Sequence, residues 1–194
     1  MKIEHIKVSD LISNNWSGGT TTQLAIYPKD SDYKKRNFLF RISTASVESE
    51  ESVFTKLPGV SRKLMILNGE IKIEHKDHYS KTIKKFEQDE FSGDWETKSY
   101  GKATDFNLMT TGSVTGDIEA ITLVKSKTFT LNKLVNCYGF YIYSGSIELF
   151  INNKTFVVNK GDSILFFPED SETEIEILPT AKCELIKSEI KFIN

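Results

Sequence analysis

Three short segments carry side chains that could hold a small molecule. If residues 38–46 are extended, Arg41, Ser43 and Ala45 share one face, because side chains alternate along a strand. In residues 103–110, Asp105, Asn107 and Met109 fall together, and in residues 20–27 Thr20, Thr22 and Leu24 do so. Each face mixes hydrogen-bonding groups with small or soft apolar ones, as a barrel lumen around a ligand requires. A guanidinium such as that of Arg41 matches a carboxylate through two parallel bonds. Asn107 and Thr22 could add neutral hydrogen bonds. Trp16 could close a pocket or plug it, and Gly18-Gly19 would permit close backbone approach. Two other readings stay open at this level. The faces could meet solvent, although a solvent face usually carries Lys and Glu, as Glu70, Lys72 and Glu74 do. Arg41 and Asp105 could also form a buried pair that only orients the strands.

Metal and nucleophilic chemistry find less support. The chain has three histidines, His5, His75 and His78. His75 and His78 stand three apart in an expected hairpin tip, residues 74–80, and read as exposed loop residues. On a strand that spacing would point them to opposite faces. His5 reads as a strand residue. Asp94 and Glu96 are carboxylates without imidazole partners, a poor transition-metal set; Glu96 could act as a general base in a dry pocket. No G-x-S-x-G elbow is present, since Ser17-Gly18-Gly19 lacks its leading glycine, and there is no phosphate-binding G-x-x-x-x-G-K-[ST] loop. No catalytic residue, metal or cofactor is therefore expected.

The elements that must position these residues read as strands. The chain of 194 residues contains 20 Ile, 17 Thr, 13 Phe, 9 Val and 7 Tyr but only 5 Ala, a composition for pleated sheets and against helical bundles. Extended segments are expected at residues 20–27, 38–46, 63–75, 103–110, 118–124, 140–151, 155–158, 163–167, 173–178 and 183–192. Turn clusters such as Asn68-Gly69, Asn152-Asn153 and Lys160-Gly161-Asp162 separate them. Gly145 marks a bulge or bend inside a strand pattern. Residues 49–55 could form one short helical turn. A weak repeat relates Leu64 to Glu74, around Gly69, with Phe140 to Phe150, around Gly145. It implies a duplicated barrel, with the halves meeting near residues 110–117.

Charge and hydropathy exclude further classes. Lys and Arg number 25 against 27 Asp and Glu, a formal net charge of −2, without the basic excess of a nucleic-acid binder. Residues 134–147, apolar and uncharged, are too short and too polar to span a membrane. No secretory signal is evident at the start, so Cys137 and Cys183 read as reduced core thiols of a cytoplasmic protein.

The motifs carry a family resemblance. Gly161-Asp162-Ser163-Ile164-Leu165-Phe166-Phe167-Pro168 resembles the second cupin motif. The first half resembles the HutD/Ves family. The matching blocks are Asn15-Trp16-Ser17-Gly18-Gly19-Thr20-Thr21-Thr22-Gln23, then Phe40-Arg41-Ile42-Ser43, then Phe54-Thr55-Lys56-Leu57-Pro58-Gly59-Val60-Ser61-Arg62 with Gly69. Phe91-Ser92-Gly93-Asp94 and Asp105-Phe106-Asn107-Leu108-Met109 follow in order. The resemblance implies an all-β bicupin, two antiparallel jelly-roll barrels with very little helix. Residues 1–113 would form the first barrel and 114–194 a second, degenerate one, with terminal strands free to cross between them. It also implies a ligand pocket in the first barrel, lined by Trp16, Thr20, Thr22, Arg41, Ser43, Arg62, Asp105, Asn107 and Met109. Arg62 stands where metal-dependent cupins place a metal-binding Glu. The implied function is metal-free binding of a small acidic metabolite, a histidine-utilisation intermediate, in a sensing or regulatory role. Two alternatives remain: a metal-independent isomerase or hydrolase using Asp105 or Glu96, and a protein-interaction module. A homodimer is compatible with either; nucleic acid and membrane are not expected partners.

Overall fold

The computed structural model describes residues 1–169 and 171–193. The chain divides into two compact units, Ile12–Val114 and a second made of Met1–Leu11 with Thr115–Asn194. The opening strand β1 (Lys2–Ile6) belongs to the second unit, so the first eleven residues do not group with residues 12–114.

The N-terminal unit contains β2 (Ser13–Trp16), β3 (Gly19–Tyr27), β4 (Phe40–Val47), β5 (Glu51–Val53), β6 (Val60–His75), β7 (Tyr79–Lys84), β8 (Gln88–Ser92), β9 (Thr97–Tyr100) and β10 (Ala103–Thr111). They join antiparallel in the order β2-β3-β4-β10-β6-β9-β5, with β7 and β8 also on β6. The long β6 organises the unit. Its first half lies between β10 and β8, and its second half between β7 and β9. Asn68-Gly69, expected as a turn, lies inside this strand at the changeover. Residues 49–55 form no helical turn: β5 pairs there with β9, and a residue with a ladder partner gains more from extension than from one isolated turn.

The C-terminal unit adds β11 (Val114–Leu123), β12 (Lys127–Leu131), β13 (Cys137–Ser144), β14 (Ser146–Ile151), β15 (Lys154–Asn159), β16 (Ser163–Phe167), β17 (Thr173–Pro179) and β18 (Cys183–Phe192). One sheet runs β1-β16-β13-β18-β11 and the other β12-β17-β14-β15. The single strand expected over residues 140–151 is therefore two strands in different sheets, broken at Gly145. That glycine has φ +82°, and a Cβ there would meet the Lys182 carbonyl oxygen at 2.8 Å. Gly69 has φ +86°, and its Cβ would meet the Lys102 carbonyl oxygen at 2.5 Å. Each glycine thus lets its strand bend against the residue preceding a long strand, Lys102 in one unit and Lys182 in the other. The weak sequence repeat has this shared steric basis.

The two interiors differ in kind. Leu131, Phe140, Ile147, Leu149, Phe166, Ile177 and Leu185 fill the C-terminal core, each 0% exposed, and the buried polar residues of that unit are Asp162, Ser163 and Ser188 among the described residues. In the N-terminal unit, apolar clusters around Leu64, Ile66 and Ile73 and around Phe38, Leu57 and Val60 coexist with buried Arg41, Arg62, His75, Asp89, Asp105 and Asn107. Cys137 and Cys183 are buried free thiols, and burial raises both above the ordinary thiol range. Among the described residues, no helix is long and apolar enough to cross a membrane.

Candidate functional site

Residues directly opposite in neighbouring strands share a face. Arg41 of β4, Met109 of β10 and Arg62 of β6 form one such row. Two residues along, Ser43, Asn107 and Leu64 form the next, and then Ala45, Asp105 and Ile66. All of these except Ala45 are buried, although Phe40 and Ile42 on the opposite face of β4 are buried too. The polar face of these strands is therefore interior and not solvent-facing. It brings together Arg41, Ser43, Arg62, Asp105, Asn107 and Met109 from the sequence-derived set.

Thr20 and Thr22 fall outside this cluster. They pair with Ser46 and Thr44, on the other face of β4, and Thr22 Oγ1 lies 2.7 Å from Ser13 Oγ. A bulge between Gln23 and Ala25 interrupts the register of β3, and Gln23 is the residue opposite Ser43. Trp16 is also elsewhere. It is 39% exposed and borders a surface cleft of about 350 Å³ with Asn15, Gly18, Gly19, Thr20 and Ser49. A Cβ on Gly18 would lie 2.1 Å from Trp16 Cζ3, so the indole rests on that glycine.

Arg41 is held by its neighbours. Its Nε donates to Gln23 Oε1 at 2.8 Å, one terminal nitrogen donates to Ser43 Oγ at 3.0 Å, and the guanidinium lies 4.4 Å from the Tyr33 ring centre. It does not pair with Asp105. Burial lowers the Arg41 pKa, with Tyr33 opposing. Arg62 is wedged between aromatic rings, 4.8 Å from Phe54 and 5.2 Å from Phe91. Its buried Nε has no hydrogen-bond partner. Burial lowers its pKa to about 10; Tyr33 and Asp105 oppose this and Arg41 adds to it. Both guanidinium groups stay charged at neutral pH.

Asp105 is 7% exposed, and its carboxyl makes no hydrogen bond among the described residues. Desolvation raises its pKa from 3.8 to about 7, and the Arg62 charge opposes the rise. A carboxyl that binds its proton more tightly when folded makes stability fall as pH rises from its unfolded value through its folded one. The fold should therefore lose stability, on the order of a few kcal/mol, between about pH 4 and pH 7 through this group alone. Asp105→Asn should flatten that window in urea titrations; an unchanged pH profile would show the carboxyl to be well solvated.

A second polar cluster occupies the far end of β6. His75, expected as an exposed loop residue, is 2% exposed. Its Nδ1 lies 2.8 Å from Thr97 Oγ1 and its Nε2 2.8 Å from Asp89 Oδ2. Asp89 also accepts from the Tyr79 hydroxyl at 2.9 Å and meets Lys81 Nζ at 2.5 Å. His75 is buried because it continues the alternation of Ile71 and Ile73, both buried. His78 is exposed and stacks on Trp95, with ring centres 3.9 Å apart. Glu96, weighed as a base in a dry pocket, is instead exposed and pairs with Lys56 at 3.9 Å and Lys76 at 3.5 Å.

These interior residues do not fit the metal of metal-dependent cupins. Among the described residues no three His, Cys, Asp or Glu side chains come together, both nitrogens of His75 are engaged by Thr97 and Asp89, and His5 lies in the other unit. The residues that strand parity missed are Gln23, on the face of β3 opposite to Thr20 and Thr22, Tyr33, in a loop without periodicity, and the rings of Phe54 and Phe91.

Residues 8–185 match the sequence profile of HutD. The chain belongs to the HutD family. It is 30% identical over 115 residues to Protein Ves of Escherichia fergusonii, covering 56% of this chain and 58% of that protein, so it spans under two thirds of that relative. The solved structure of PA5104, a conserved protein of unknown function from Pseudomonas aeruginosa PAO1, aligns with TM-score 0.87 and 15% identity. That alignment covers 98% of this chain and 100% of that one. HutD from Pseudomonas fluorescens SBW25, in a formate condition, aligns with TM-score 0.74 and 16% identity over the whole of both chains. At such identities the likeness shows the fold, which is that of an all-β bicupin.

Proposed function

We propose that the N-terminal unit binds a small carboxylate-bearing metabolite at Arg41 and Arg62, in a sensing or regulatory role within histidine utilisation. The observation that carries this reading is Arg62, a buried cation whose Nε has no acceptor. A buried donor without a partner is costly, and charged donors most of all. A carboxylate lying against the row formed by Arg41, Met109 and Arg62 would satisfy it bidentately. The C-terminal unit contains no arginine. Membership of the HutD family supports the metabolic setting. A second reading, metal-independent acid–base catalysis, draws on Asp105, a buried carboxyl without a hydrogen-bond partner and with a pKa of about 7.

The test is ligand-induced stabilisation across a panel of acidic metabolites, formylated glutamate and urocanate included. At 100 times Kd a bound ligand stabilises the fold by about 2.7 kcal/mol. Arg41→Ala should abolish that shift. Equal binding by wild type and Arg41→Ala would remove the pocket assignment, and turnover lost in Asp105→Asn would favour the enzyme.

A further inference from the structure

The arginines account for one end of a ligand; the same face also carries acceptors that nothing satisfies. Asn107 is 5% exposed, and its buried Oδ1 has no partner. Asp105 is 7% exposed, with no hydrogen bond to its carboxyl among the described residues. Both stand on β10, and Met109, two residues beyond Asn107, is the residue opposite Arg62. Arg62 and Asn107 are thus diagonal neighbours on one interior face, and Asp105 follows two residues further on. Diagonal neighbours on adjacent strands lie roughly 7–8 Å apart, within the span of a small molecule. The face therefore runs from a donor without an acceptor, Arg62 Nε, to acceptors without donors.

Resting on the carboxylate reading above, we propose that the pocket selects acidic ligands carrying an N–H or O–H donor beside the carboxylate. Arg62 takes the carboxylate, and Asn107 Oδ1 and the Asp105 carboxyl take the donor. A plain carboxylate answers only the arginine and leaves the enclosed Asn107 Oδ1 unpaired. Hydroxy acids and acylamino acids answer both ends. Sites built to hydrogen-bond a substrate OH or NH reject the analogue lacking it because the buried partner group is then left unpaired. The Asp105 carboxyl, near its midpoint at neutral pH, can accept from such a donor when ionised.

The experiment compares matched pairs that differ by one hydroxyl: succinate with malate, and propanoate with lactate, by titration calorimetry on the full chain at one pH. The hydroxylated member of a pair should bind about 10- to 100-fold more tightly. In Asn107→Leu, close in volume but without the acceptor, that ratio should fall several-fold. Equal affinities within both pairs in wild type, or an unchanged ratio in Asn107→Leu, would overturn the proposal while leaving the arginine pocket standing. If none of the four binds, and neither formylated glutamate nor urocanate does, the carboxylate reading falls and this inference with it. The wild-type comparison needs no variant to fold.

Discussion

Replacing Asp89 with alanine should lower the unfolding free energy of the N-terminal unit by roughly 1–3 kcal/mol at neutral pH. Asp89 is 2% exposed and is the shared acceptor for His75 Nε2, the Tyr79 hydroxyl and Lys81 Nζ. Its loss strands His75 Nε2, enclosed by Phe91 at 4.6 Å and Trp95 at 5.3 Å between ring centres, while the Tyr79 hydroxyl and Lys81 Nζ keep the Glu90 and Gln88 carbonyl oxygens as acceptors. Removing one partner of a buried polar network costs the desolvation of those left behind. Tyr79 reports on the same network, its pKa raised to about 12 by burial first and by the hydrogen bond to Asp89 second. Urea denaturation followed by Trp95 fluorescence in a Trp16→Phe background would measure the loss. A midpoint close to that of the parent would mean that the cluster contributes little and that Asp89 is solvated. Asp89→Asn, which keeps an acceptor oxygen, should lose less.

Arg62→Met should have a large effect of the opposite kind. Stability should stay level or rise, while affinity for carboxylate ligands falls by about 100-fold or more. Arg62 makes ring contacts with Phe54 and Phe91 that a thioether side chain can also make, and its Nε gains nothing from the protein. Exchange of a desolvated cation for an apolar side chain of similar volume is often neutral or stabilising. Asp105 then loses the charge that restrains its rise, so it takes up a proton more readily and stays neutral. Binding and stability therefore move apart. If Arg62→Met instead unfolded the protein and left ligand affinity untouched in the folded fraction, Arg62 would be a structural residue and the pocket would lie elsewhere.

Much of this was legible in the residues. Alternation is local: once residues 38–46 and 103–110 are strands, Arg41 must share a face with Ser43, and Asp105 with Asn107 and Met109. The polar Glu70, Lys72 and Glu74 likewise imply that Ile71, Ile73 and His75 turn inward, although residues 74–80 read as a loop. Gly69 and Gly145 marked equivalent bends through a faint repeat. Parity within β3 is silent on which of its faces joins the arginine face of β4: pairing puts Thr21 and Gln23 opposite Ala45 and Ser43, and leaves Thr20 and Thr22 on the other face. Tyr33 sits against Arg41 from a loop in which no period operates.

By itself, then, the sequence determined an all-β chain, its family and which side chains share a strand face, because composition and alternation act over a few residues. Only the tertiary structure decided which face is interior and which strands lie side by side. It also decided which buried polar atoms lack partners. Those depend on pairing between segments far apart in the chain: Arg41 and Arg62 reach one row through Met109, and His75 meets Asp89 across β6 and β8.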